Sequence, residues 1–277
     1  MNAGDAAALR RQIEPLVRRA GDHLLASFER LSAADVQHKG RVDLVTRLDV
    51  ESQTLLVAGL EAAFPNDSIV AEEDPARAVH AGRVWFVDPL DGTTNFVHGQ
   101  PPFAVAVGRA TDGILDLAAI YAPYLREFFW GAAGCGAWLG ERRLQVSARD
   151  HLDDSLLATG FPYDLRTNPH NNLREWAHLA LRCRGLRRAG AASLDLAYVA
   201  AGRFDAFWEF RLQPWDLAGG ALLVQEAGGC VSAPDGTLDV LTRGDIVATN
   251  GVLHTALLRE LARARVGAGT SRQGEGS

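Results

Sequence analysis

The sequence predicts a layered α/β protein, and three observations carry that expectation. After Ser155, short apolar runs alternate with segments of helical period. Ahead of it, Ser68-Ile69-Val70-Ala71 and Val84-Trp85-Phe86-Val87 are apolar runs bounded by polar clusters, which read as buried strands. Between the two regions, residues 103 to 130 carry the Gly and Pro punctuation of an antiparallel meander.

Each element has its own reason. Leu9, Ile13, Leu16, Val17, Ala20, Leu24 and Phe28 recur at helical spacing, so residues 5 to 28 read as an amphipathic helix. Asp5 is its candidate cap and Pro15 its candidate kink. Lys39-Gly40 begins a loop, 42–46 reads as extended, and Asp49 starts a second helix to about residue 64. The two buried strands then deliver Glu72 and Asp88 at their C-terminal ends. The meander comprises 103–107, 113–121 and 127–130. Strands are expected at 156–159, 186–189, 204–210 and 246–249, and helices at 171–182, 193–201, 216–227 and 253–262. A boundary near 149–154 divides residues 1–150 from 151–265, and the small, polar residues 266–277 read as a disordered tail.

Composition narrows the class. A chain of 277 residues can bury a large core, and no apolar run approaches the length of a membrane span. Met1-Asn2-Ala3-Gly4-Asp5 lacks the basic and apolar segments of a secretory signal. Cys135, Cys183 and Cys230 show no CxxC spacing and read as buried thiols, which places the protein in a reducing cytoplasm. A net charge of −6 argues against a general nucleic-acid binder. Arg182, Arg184, Arg187 and Arg188 form a local exception; solvated arginines at a helix end are the ordinary reading and an RNA-binding patch the alternative.

The chemistry concentrates in Asp88-Pro89-Leu90-Asp91-Gly92-Thr93-Thr94-Asn95, with Glu72-Glu73 shortly before it. Pro89 fixes its own φ and Gly92 permits a sharp bend, so these carboxylates can converge. Converging carboxylates repel unless a cation neutralises them, and an oxygen-only donor set without His or Cys favours Mg²⁺ or Mn²⁺ over zinc. The N–H groups and hydroxyls of Gly92-Thr93-Thr94 suit a phosphate. Taken singly, each piece has an ordinary reading. Asp216 is a helix cap with Gly228-Gly229 as the helix stop, Glu72-Glu73-Asp74 a solvated turn, and Asp91-Gly92 a turn dipeptide. Their conjunction is far more specific. No histidine shows ligand spacing; His98 is the one closest to the aspartate motif. Phe128, Phe129, Trp130 and Trp138 read as core or dimer surface.

From the first helix to about residue 260 the chain resembles the lithium-sensitive, magnesium-dependent inositol monophosphatases. The motifs that carry the resemblance are Trp85-Phe-Val-Asp-Pro-Leu-Asp-Gly-Thr-Thr-Asn-Phe96 and Trp215-Asp-Leu-Ala-Gly-Gly220. Leu194-Asp-Leu-Ala-Tyr-Val-Ala-Ala-Gly-Arg203 looks like the bacterial branch. The resemblance implies the sugar-phosphatase fold, with alternating α-β-α-β-α layers. It implies one Mg²⁺ held by Glu72, Asp88 and the Leu90 carbonyl, a second held by Asp88, Asp91 and Asp216, and a weaker third partly on Glu72. Gly92 and Thr93 would bind phosphate, Thr93 and Asp49 would activate water, and Glu73 would orient that water. Lys39 would lie in a mobile loop near the metals, although an exposed loop lysine is its ordinary reading. Glu209 would bind substrate hydroxyls, beside the backbone of Gly190, Ala191 and Ala192. Ala191 stands where many relatives place a hydroxyl residue, and Gly219 where Ala is usual. Arg211 and Gln213 are candidates for the pocket wall or for exposed loop.

The resemblance implies hydrolysis of myo-inositol monophosphates by a homodimeric phosphatase, with water attacking phosphorus in line. Histidinol phosphate is the first alternative; fructose 1,6-bisphosphate and 3′-phosphoadenosine 5′-phosphate follow. A different class is a binding protein associated with RNA polymerase or RNA-processing machinery, as some bacterial members are.

Overall fold

The computed structural model describes residues 1–28, 30, 36–38, 44–75 and 82–266, and its elements stack as five alternating layers. Lys39, and the tail from 267 to 277, lie outside the described residues. The first layer is α1 (Ala3–Ser27) with α2 (Arg47–Ala63); the short antiparallel pair β1 (Val36–His38) and β2 (Leu44–Thr46) precedes α2. The second is a seven-stranded sheet of β3 (Ser68–Ala71), β4 (Arg83–Asp91), β5 (Ala104–Thr111), β6 (Ile114–Ala122), β7 (Glu127–Ala132), β8 (Gly136–Leu139) and β9 (Arg142–Arg143), in that order. β3 runs parallel to β4 and the rest are antiparallel, with α3 (Thr93–Val97) at the end of β4.

α5 (Ala192–Ala200) and α6 (Pro214–Glu226) form the central layer. Beyond them lies a second sheet ordered β11 (Gly185–Arg187), β10 (Leu156–Thr159), β12 (Ala206–Glu209), β14 (Ile246–Thr249) and β13 (Cys230–Ser232). α4 (Leu173–Ala180) and α8 (His254–Val266) close the outer face, and α7 (Val240–Arg243) is a short turn of helix. Among the described residues no helix is long and apolar enough to cross a membrane.

Strand alternation explains the layering. In β5, Val105 and Val107 pack towards α1 and α2, whereas Ala104 and Ala106 pack towards α5 and α6. Small side chains on that inner face let α6 approach the sheet closely. A Cβ on Gly108 would fall 2.6 Å from the Gly219 nitrogen, and one on Gly219 would fall 3.0 Å from the Val107 carbonyl oxygen. Gly219 thus serves close packing of helix on sheet instead of loosening the helix.

Three expected caps are corrected in one way. Asn2, Thr46 and Gln213 are the N-caps of α1, α2 and α6, and Asp5, Asp49 and Asp216 each stand three residues later in the first turn. There the carboxylate still interacts with orphan N–H groups and the helix dipole, while reaching back to the cap. α1 runs unbroken through Pro15, which lies on its exposed face and leaves the Arg11 carbonyl to solvent. β4 extends to Asp91, so Asp88 lies within the strand and not at its end. β8, β9, β13 and α7 were not foreseen; each is four residues or shorter. The three thiols are free and half-buried, not buried. Phe128, Phe129 and Trp130 belong to the core, with Trp138 stacked on Trp130.

Candidate active site

The site is built on the corner between β4 and α3. β4 pairs with β5 at Asp88↔Ala106 and again at Asp91↔Ala104, so β4 carries one residue more than its partner across that interval. Pro89, which has no N–H for a ladder, occupies the bulge, and Ser52 Oγ donates to its carbonyl at 2.8 Å. Leu90 N–H donates to Asp88 Oδ1 at 3.0 Å, closing a local turn. Gly92 then takes φ +90°, and a Cβ there would fall 3.1 Å from the Pro102 carbonyl oxygen. From Gly92 the chain enters α3, which exposes the first N–H groups of that turn.

The remaining acidic groups arrive from other layers. Glu72 follows β3, where its N–H donates to the Val87 carbonyl at 3.1 Å. Asp91 faces the start of α5: Ala192 N–H (3.1 Å) donates to Oδ1, and Ser193 N–H (2.8 Å) and Ser193 Oγ (2.5 Å) donate to Oδ2. Asp216 accepts from Gln213 N–H at 2.7 Å. Burial raises the pKa of Asp88 well above the ordinary carboxylate range, and the neighbouring charges of Glu72, Asp91 and Asp216 raise it further. Burial likewise raises Asp91, against the N–H and hydroxyl donors of α5, and raises Asp216 well above its usual value.

These groups fit a hard divalent cation in donor chemistry. All donors are oxygens, and among the described residues the charged neighbours acting on Asp88 are the carboxylates of Glu72, Asp91 and Asp216. Among the described residues, no group of three acidic, His or Cys side chains already forms a ligand cage. Their oxygens are engaged by backbone N–H groups instead. The mutual field of these buried, like-charged groups is the stronger argument, because a bound cation would relieve it.

Beside this cluster lies a hydrogen-bonded pair, Asp49 and Thr93. Asp49 is 1% exposed, and its Oδ2 accepts from Thr46 N–H at 2.8 Å and Thr46 Oγ at 2.6 Å. Thr93 Oγ lies 3.1 Å from Asp49 Oδ1 and 3.0 Å from the Leu90 carbonyl, with a single hydroxyl proton to direct to one of them. Burial pushes the Asp49 carboxyl up to about 6, against the Thr46 donors. Glu73 is half-buried, with its N–H held by Gln53 Oε1 at 2.8 Å, and its charge acts on Asp49.

A cavity of about 350 Å³ opens over the corner and is lined by Glu72, Asp91, Thr93, Arg188, Glu209 and Asp216, among others. Gly190 and Ala192 also line it, whereas Ala191 is buried behind them. Glu209 sits at its wall; burial pushes this carboxyl up to about 8 although Arg188 opposes the rise. Arg211 and Gln213 line the cavity too, and Arg211 pairs with Asp164 across the rim. A larger groove of about 1130 Å³ adjoins it, but Glu72, Asp91 and Asp216 are not part of that lining. The carboxylates make the smaller cavity the candidate site.

Sequence reasoning missed four supporting residues. Thr46 and Ser193 hold Asp49 and Asp91, and Gly160 and Asn95 shape the walls. A hydroxyl residue ahead of a helix-starting Asp was a readable cap signal for Thr46. Asn95 stood in the aspartate motif without an assigned role, and nothing local in the sequence marks Ser193 or Gly160.

The model of the inositol monophosphatase family matches residues 5–265. A Pseudomonas aeruginosa protein named Nus factor SuhB is 47% identical over 248 residues, covering 87% of this chain and 91% of its own. An inositol-1-monophosphatase from Caulobacter vibrioides is 41% identical over 251 residues, covering 89% of this chain and 98% of its own. The solved structure of inositol monophosphatase from Anabaena superposes with a TM-score of 0.84 at 38% identity, covering 94% of this chain and 97% of that one.

Proposed function

The chain belongs to the inositol monophosphatase family, and on that premise we propose that it is a Mg²⁺-dependent phosphomonoesterase converting myo-inositol monophosphate to inositol and phosphate. The observation that carries this reading is the juxtaposition of the Asp49–Thr93 pair with the buried carboxylates around Asp88, at the glycine-started corner of α3. Glu72, Asp88, the Leu90 carbonyl, Asp91 and Asp216 would hold Mg²⁺, with Mn²⁺ as a substitute, which would supply charge neutralisation, a more acidic water and stabilisation of the leaving oxygen.

The protein's own residues do the rest. The N–H groups of Gly92 and Thr93 at the start of α3 receive phosphate oxygens. Thr93 Oγ accepts a proton from the attacking water as its own proton passes to Asp49 Oδ1, 3.1 Å away. Glu73, close enough for its charge to act on Asp49, orients that water. Glu209 accepts from substrate hydroxyls beside the backbone of Gly190, Ala191 and Ala192, and the part assigned to Lys39 rests on family likeness alone. No protein nucleophile is required, since phosphoryl transfer depends mainly on positioning and charge neutralisation.

A cytoplasmic, lithium-sensitive homodimer completes this reading and rests on family likeness alone. The substrate is tested by phosphate release from inositol 1-phosphate, histidinol phosphate, fructose 1,6-bisphosphate and 3′-phosphoadenosine 5′-phosphate. Inositol 1-phosphate is expected to lead in kcat/KM; another leading ester would reassign the substrate. The name Nus factor SuhB among the relatives supports a second reading, association with RNA polymerase. A pull-down with Asp91→Asn tests it: polymerase retained by the inactive variant supports a separate role, and no retention by either form removes it.

A further inference from the structure

The four arginines that cluster in sequence part company in the structure. Arg182 pairs with Glu260 at 3.4 Å, Arg184 with Asp154 at 2.5 Å, and Arg187 donates to its neighbour's carbonyl at 3.0 Å. Arg188 alone of the four lines the catalytic cavity. Its guanidinium is seated against Gly190, where a Cβ would fall 2.5 Å from Nη1. The Glu209 carboxylate is seated in the same way against Gly160, where a Cβ would fall 2.1 Å from Oε2. Two glycines therefore make room for two charged heads of opposite sign on the walls of one cavity.

We propose that Arg188 is a specificity-determining residue which, as donor opposite the acceptor Glu209, reads neutral hydroxyl groups on the alcohol portion of the phosphate ester. This rests on the phosphatase reading of the same site. The charges decide the class of ligand. Once cations neutralise Glu72, Asp91 and Asp216, the charged groups left in the cavity wall among the described residues are Arg188, Glu209 and Arg211, and Arg211 is paired with Asp164. Above about pH 8, where Glu209 is ionised, Arg188 and Glu209 sum to zero and offer N–H donors and carboxylate acceptors together, which suits a polyol. A second phosphate would gain from Arg188 but would meet Glu209. Selection against bisphosphates follows from the same pair.

The test compares wild type with Arg188→Gln and Arg188→Lys in Mg²⁺ above pH 8, where Glu209 is ionised. It measures kcat and KM for inositol 1-phosphate and for fructose 1,6-bisphosphate, and competitive inhibition by inorganic phosphate. Arg188 is exposed, so the variants should fold. Arg188→Gln is expected to raise the KM for inositol 1-phosphate roughly 10- to 100-fold, the worth of a charged hydrogen bond. Inhibition by phosphate and kcat should stay within about 3-fold, less than one such bond, and Arg188→Lys should recover part of the loss. An unchanged KM, an equal loss of phosphate affinity, or a loss confined to the bisphosphate would overturn the proposal. Wild type without activity on inositol 1-phosphate would instead overturn the substrate reading beneath it.

Discussion

Replacing Asp49 by Asn separates its two roles, because they predict opposite changes in stability. The Asn carbonyl can accept from Thr46 N–H and Oγ as Oδ2 does now, at 2.8 and 2.6 Å. Its amide would then point a donor at Thr93 Oγ, whose proton turns to the Leu90 carbonyl 3.0 Å away. Every bond survives and only the proton acceptor is lost. Holding Asp49 ionised in the folded protein, with its carboxyl pushed from 3.8 to about 6, costs about 3 kcal/mol relative to the unfolded chain. Neutral bonds to Thr46 are weaker than charged ones by about 1 kcal/mol. The variant should therefore gain about 2 kcal/mol above pH 7, raising Tm by about 4 °C or more. Its kcat should fall by roughly 10²- to 10⁴-fold, the value of a general base. Thermal unfolding in EDTA and initial rates in Mg²⁺ measure the two. A variant of wild-type kcat, or one destabilised by more than about 2 kcal/mol, would refute the relay and leave Asp49 a helix-start residue.

Other expectations follow from the same geometry. Wild-type activity should rise with pH through about 6 as Asp49 ionises, with the limb absent in Asp49→Asn; a rate flat across that range contradicts it. In EDTA, stability should fall as pH rises from about 4 to 8, because the folded state holds protons on Asp49 and Glu209 more tightly than the unfolded chain does, and both carboxyls have raised values. Scanning calorimetry against pH measures this, and a rising Tm over that interval would oppose it. Ser193→Ala removes the 2.5 Å hydroxyl from Asp91, so half-maximal Mg²⁺ for activity should rise about tenfold, read from a metal titration. Gly108→Ala drives a methyl to 2.6 Å from the backbone of α6 and should cost about 2 kcal/mol or more in denaturant unfolding.

Much of this was legible in the sequence because periodicity and turn chemistry are local. The alternation after Ser155 correctly announced a second sheet between helices, and the Asp88–Asn95 run announced a sharp corner with convergent carboxylates. The helix-starting aspartates were displaced by three residues, because a capping box offers Asp at N3 the same N–H groups and dipole as at the cap. Short strands such as β9, of two residues, carry too little pattern to be read. Ser193 and Arg188 were missed for a different reason: each meets its partner across about a hundred residues or only within the folded cavity. Arg188 in particular looked like one member of a basic surface cluster until the fold gave the others ion pairs or backbone contacts.

The most direct measurement is phosphate release from inositol 1-phosphate by the purified protein in EDTA, after Mg²⁺ is restored, and with Asp216→Asn in Mg²⁺. Turnover that is absent in EDTA, returns with Mg²⁺ and collapses in the variant is the predicted result. Turnover in EDTA equal to that in Mg²⁺, or none in either, would contradict a metal-dependent phosphatase built on these carboxylates.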